Sequence, residues 1–154
     1  MVCCGIRTGV RMADRYNGVS MELVIGGCFQ GKLAYVKEKL AEQGHILQEA
    51  EILEGGEMGA WNRETPPRVL NALHLLIRKY VMDGTPEEIS PLLEGLLAEH
   101  PDLIVICDEV GCGIVPIDER ERTYREIVGR TLCGLAERAK GMERITGGLP
   151  VKIK

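Results

Sequence analysis

Aromatic side chains are scarce in this chain, which has one Trp, one Phe and four Tyr among 154 residues. Stacking on single-stranded nucleic acid needs rings in series, and duplex binding needs a basic excess. Here 23 acidic side chains face 19 basic ones, for a net charge of −4, so nucleic acid is set aside as a partner. No apolar run reaches the roughly 18 residues that a spanning helix requires, and no apolar leader opens the chain, so neither membrane insertion nor secretion is expected. The six cysteines (Cys3, Cys4, Cys28, Cys107, Cys112 and Cys133) contain no Cys-x-x-Cys pair. They read as thiols of a reduced, cytoplasmic protein rather than as a disulfide framework. At this length a 45% hydrophobic content supports one well-buried core and not comfortably two, so a single domain is expected.

What the chain does have is an apolar strand that runs into a glycine loop, a lysine and a helix. Leu23-Val24-Ile25 leads into Gly26-Gly27-Cys28-Phe29-Gln30-Gly31-Lys32-Leu33. Gly26 and Gly31 stand at P-loop spacing, where backbone N–H groups crowd around phosphate oxygens, Lys32 reaches further phosphates and the helix N-terminus adds partial positive charge. Gly26, Gly27, Cys28, Phe29, Gln30, Gly31, Lys32 and Leu33 are therefore the candidate nucleotide-binding residues. The hydroxyl that ligates Mg2+ in such loops is absent, because Leu33 follows the lysine.

Residues 1–20 set Arg7, Arg11 and Arg15 among Gly, Asn and Ser without an apolar period. They are expected to be an extension outside the fold or an over-called start, with a basic arm that touches a ligand or partner as the alternative. Residues 21–154 are then a single P-loop nucleotide-binding domain. After the loop, Leu33, Val36, Leu40 and Ile46-Leu47 punctuate charged residues as an amphipathic helix does, with Gly44 as its C-cap. Residues 50–68 are the least regular part. Ile52-Leu53 suggests a short strand, and Gly55, Gly56, Gly59, Pro66 and Pro67 suggest a mobile loop around Trp61. Helical periodicity runs from Val69 through Leu70, Leu73, Ile77 and Tyr80-Val81. Thr85-Pro86-Glu87-Glu88 then opens a second helix extending to about His100.

Leu103-Ile104-Val105-Ile106-Cys107 is an unbroken β-branched run, as in a parallel strand buried on both faces. It ends in Asp108-Glu109, followed by Val110-Gly111-Cys112-Gly113-Ile114-Val115-Pro116. Ligands in open α/β sheets bind outside the carboxyl ends of strands, so Asp108 and Glu109 face the same crevice as Lys32 if the two strands are neighbours. One of the pair then holds Mg2+ or its water shell, with Asp108 the metal candidate. Lys32 and Glu109 are the catalytic candidates. The plainer reading has the carboxylates capping the strand end or pairing with Arg125. A charged helix over 118–139, ended by Gly141, and two short strands over 143–146 and 149–153 divided by Gly147-Gly148 complete the chain. His74, among Leu73, Leu75 and Leu76, reads as a core or boundary residue, with a nucleophile as the sharper alternative. His45 and His100 read as surface helix ends, and Arg120, Arg122 and Arg125 as solvated charges or phosphate grips.

Taken together, Val24-Ile25-Gly26-Gly27 with Gly31-Lys32, Glu109-Val110-Gly111-x-Gly113-Ile114-Val115-Pro116, Tyr124-Arg125 with Gly129, and Gly148-Leu149-Pro150 with Lys152 occur in one order. In this the chain resembles the adenosylcobinamide kinase/adenosylcobinamide-phosphate guanylyltransferase family. The resemblance covers the chain from Met21 onward and is weakest in its middle. It implies an α/β, P-loop NTPase-like three-layer fold with a mostly parallel central sheet. It also implies a cytoplasmic homo-oligomer, a corrinoid substrate, GTP or ATP as the nucleotide, and Mg2+. The implied reactions are phosphorylation of the aminopropanol hydroxyl of adenosylcobinamide and transfer of GMP to give adenosyl-GDP-cobinamide. The family pattern has Ser or Thr where Leu33 stands, Asn where Asp108 stands, and an Asn-Gln pair where Leu132-Cys133 stands. Its guanylylated histidine, in an Arg-Ile-x-x-His-type helix, has no counterpart motif here. Trp61-x-x-Glu64 with Pro66 is similar to the stretch that follows that histidine, one residue short. The alternatives are therefore a single-activity kinase, or a non-catalytic nucleotide- or corrinoid-binding member with a degenerate P-loop.

Overall fold

A computed structural model describes residues 20–60 and 64–154. The elements in chain order are β1 (Glu22–Gly26), α1 (Lys32–Glu42), β2 (Ile52–Glu54), β3 (Val69–Asn71), α2 (Leu73–Asp83), α3 (Ile89–Glu99), β4 (Ile104–Asp108), α4 (Glu119–Arg138), β5 (Gly141–Thr146) and β6 (Leu149–Lys152). They build a six-stranded sheet in the order β2-β3-β4-β1-β5-β6. The first five strands of that order run parallel, and β6 returns antiparallel through Gly147-Gly148.

Strand alternation divides the interior into two clusters and so makes three layers. Leu23, Ile25, Leu53, Leu70, Val105 and Cys107 point to the face covered by α2, α3 and α4. Val24, Val69, Ile104, Ile106 and Ile145 point to the opposite face, covered by Val36 and Leu40 of α1. Parallel strands buried on both faces need near-continuous apolar sequence, and the Leu103 to Cys107 run supplies it. The fold is the expected α/β arrangement with a mostly parallel central sheet.

Four local expectations are corrected. Val69 and Leu70 are strand rather than helix. The two residues are fully buried on opposite faces of the sheet between β2 and β4, and burying each contributes about 1.5–3 kcal/mol. Ala72, in the left-handed region at φ 55°, then turns the chain into α2. Helix α1 stops at Glu42, and Gly44 at φ 85° carries the chain away, so Ile46 lies outside the helix and exposed. Gly141 opens β5 instead of closing α4, whose last residue is Arg138. The short strand expected at Ile52-Leu53 is β2, but the glycines after it form a 3-10 turn over Gly55–Ala60 instead of breaking all regular structure. Residues 1–19 and Trp61 lie outside the described residues. Ser20, the last residue of the expected extension, donates its N–H to Pro101 O at 2.8 Å, and Met21 is fully buried.

The second helix opens at Pro86 and runs to Glu99, close to the expected bounds, but its first turn, Pro86–Glu88, is 3-10. Asp118 caps α4, its carboxylate accepting from the N–H groups of Arg120 and Glu121. Among the described residues no helix is long and apolar enough to cross a membrane.

Candidate functional site

β1 lies between β4 and β5, and its last residue, Gly26, is in register with Asp108 on one side and Ile145 on the other. A crevice at the carboxyl edge of such a sheet forms where successive connections leave toward opposite layers. Here α1 covers one face, whereas α4 follows β4 on the other. Gly26 is dictated by packing, because a Cβ there would sit 2.5 Å from Ile145 O. Gly31 at φ 80° turns the loop into α1. The first intrahelical bond runs from Tyr35 N–H to Gly31 O, which leaves the N–H groups of Lys32, Leu33 and Ala34 to the helix mouth. This end of α1 carries the partial positive charge that favours an anion.

Lys32 begins the helix and is the one buried charged residue among those described. Its ammonium donates to Gly27 O at 2.6 Å and pairs with Asp108 Oδ1 at 2.7 Å. The strand neighbours thus bring together the lysine and the carboxylate that sequence had placed in one crevice. Glu109 continues the ladder, its N–H on Gly26 O at 2.9 Å, but its carboxylate pairs with Arg144 Nε of β5 at 2.8 Å rather than with Lys32 or Arg125. Arg125 and Arg122 instead donate to main-chain oxygens of the loop after β4, at Gly113 and at Pro116 and Ile117. They hold that loop in place. Phe29 sits at the loop apex, fully exposed and at φ 55°, an uncommon conformation for a bulky residue that functional loops retain at a cost of about 1–3 kcal/mol. Cys28 is exposed, and Leu33 packs against the α1-side cluster, with no hydroxyl at that position.

Several contacts reach the crevice that sequence reasoning did not draw. Gln30 accepts from Gly147 N–H through its side chain and from Gly148 N–H through its carbonyl, which ties the glycine loop to the β5–β6 turn. Arg144 comes from the strand next to β1, and alternation in that strand was its only sequence signal. His74, in the first turn of α2, accepts the Asp108 N–H on Nδ1 at 3.2 Å, with Nε2 3.7 Å from Asp108 Oδ2. Burial pushes its imidazole below the ordinary value and outweighs the Asp108 charge, so the neutral ring is favoured. The apolar-neighbour reading of His74 is right about burial and misses the contact. Burial also pushes the Cys107 thiol up to about 12, which makes it an inert core group that donates to Asp108 O.

The described residues contain no group of three or more His, Cys, Asp and Glu side chains able to hold a metal ion by themselves. One carboxylate with an oxygen left over from its lysine suits a Mg2+ ion that brings its own phosphates and waters. A sequence profile of the family described as cobinamide kinase / cobinamide phosphate guanyltransferase matches residues 57–153. The match begins beyond the glycine loop, whose reading therefore stands on its geometry. The chain is also similar to the bifunctional adenosylcobalamin biosynthesis protein CobP of Pseudomonas aeruginosa, at 25% identity over 167 aligned positions covering 86% of this chain and 96% of that protein.

Proposed function

The chain belongs to the cobinamide kinase / cobinamide phosphate guanyltransferase family, and we propose that it phosphorylates the aminopropanol hydroxyl of adenosylcobinamide and then transfers GMP to the product. The observation that carries the first step is the Lys32 ammonium, held between Gly27 O and Asp108 at the mouth of α1.

In this reading the tail of GTP or ATP lies across the amides of Gly27 to Leu33, and Lys32 neutralises charge on the transferred group. Phosphoryl transfer asks a protein mainly for position and charge, which a buried lysine beside a helix N-terminus supplies. Asp108 would hold Mg2+ or its water shell, which would supply further positive charge to the nucleotide phosphates. Glu109, fixed by Arg144, orients the acceptor hydroxyl. The reaction is cytoplasmic in this account, and its partners are the corrinoid and the nucleotide.

A second reading, kinase activity without guanylyl transfer, is favoured by the histidines. His45 pairs with Glu51 at 3.0 Å away from the crevice, and His74 has its Nδ1 engaged. Parallel incubations with adenosylcobinamide and GTP labelled at the γ- or the α-phosphate separate the readings. Label from both positions on corrinoid supports the bifunctional enzyme, and γ-label alone supports the kinase. Nucleotide binding with neither product contradicts both and leaves a binding protein whose Leu33 marks lost chemistry.

A further inference from the structure

The amides of β4 alternate in direction. Ile104 N–H donates to Arg68 O on the β3 side, whereas Glu109 N–H donates to Gly26 O on the β1 side. Asp108 is an even number of residues from Ile104, so its N–H points toward β3. That strand ends too early to meet it, since β3 pairs with β4 only at Val69↔Ile104 and Leu70↔Val105 and stops at Asn71. A partly buried amide left at such a rung without an acceptor destabilises the fold, because its lost water is not replaced. The left-handed turn at Ala72 starts α2 at once, and its second residue, His74, lays Nδ1 against the orphan amide at 3.2 Å.

The donor direction fixes the tautomer. Because Asp108 N–H donates, Nδ1 carries no proton, and the neutral ring bears its hydrogen on Nε2. That nitrogen faces Asp108 Oδ2 at 3.7 Å, while Lys32 holds Oδ1 at 2.7 Å. The aspartate is thus held at its main chain by His74, and its carboxylate lies between the imidazole and the ammonium. Resting on the phosphoryl-transfer reading above, we propose that His74 is a positioning residue that fixes Asp108, and through it Lys32, against the nucleotide phosphates.

The test compares His74→Leu, which removes both nitrogens, with His74→Asn, whose amide oxygen replaces the Nδ1 acceptor. With circular dichroism unchanged, the leucine variant is expected to lose about 10–100-fold in kcat, the usual cost of removing a group that orients a reacting one. The nucleotide KM is expected to stay within about threefold, and asparagine to recover about tenfold of the kcat loss. A ladder cap with no other role would lower the melting temperature of the leucine variant and leave kcat in place, and that result overturns the proposal. 15N spectra of histidine-labelled full-length protein give a readout independent of turnover. Protonated Nε2, bare Nδ1 and a ring shift on adding GTP support the clamp even if wild type proves inactive on adenosylcobinamide, an outcome that would sink the proposed function alone. A protonated Nδ1, or a ring indifferent to GTP, overturns the clamp whatever the turnover.

Discussion

Lys32 and Leu33 are neighbours with opposite consequences. The lysine is buried against Gly27 O and Asp108, whereas the next side chain, where a hydroxyl would reach Mg2+, is an alkyl group packed on the α1-side core. Leu33→Ser is expected to raise Mg2+-dependent turnover about tenfold, a gain of about 1.4 kcal/mol in transition-state stabilisation, and to cost about 1 kcal/mol of folding stability through lost burial. Magnesium titrations of the initial rate, with urea denaturation alongside, check both parts. An unchanged magnesium dependence would mean that Asp108 already meets the metal requirement. Gly26 and Asp108 were legible because each ends an apolar strand, and Lys32 because it opens the helix that follows the glycine loop. His74 and Arg144 were not, because their relation to the crevice exists only between strands and across a turn.

Among the elements, α1 is fastened to the sheet by a polar cluster at the far end from the glycine loop. Lys39 bridges Glu22 of β1 and Glu143 of β5 at 2.7 Å each, and Tyr35 donates to Glu143 at 2.8 Å. Burial alone would raise the Glu143 carboxyl, but the hydrogen bonds from Lys39 and Tyr35 outweigh it and hold the group below its ordinary 4.5. A carboxyl depressed in the folded state contributes stability that is present above that value and is lost as the pH falls through the folded pKa. Stability from urea unfolding is therefore expected to fall as the pH drops below about 4.5, and Glu143→Gln to flatten that limb. An equally steep limb in the variant would assign acid sensitivity to other carboxylates. Strand β1, the loop, α1 and β4 were readable because length, periodicity and glycines agreed. The pair Val69-Leu70 was not, since two apolar residues fit a helical stripe as well as a strand, and only neighbours on both sides of the sheet decide between them.

At the scale of the whole molecule, the sheet ends on β6, a strand left uncovered among the described residues. Every residue of β6 is exposed, including Leu149 and Val151, and Ile153 follows. A free antiparallel edge with apolar side chains is a template for pairing, so self-association through β6 is expected. Sedimentation velocity should show an oligomer that Val151→Lys shifts toward monomer, and a wild-type monomer across the micromolar range would contradict this. The glycine loop, Lys32 and Asp108 meet in one crevice. The most direct measurement is the steady-state rate of adenosylcobinamide phosphorylation by wild type and Lys32→Ala, each with unchanged circular dichroism. Turnover by wild type that falls by about 100-fold or more in the variant is the predicted result. Turnover that survives the loss of Lys32 would place the chemistry elsewhere in the molecule and contradict the account.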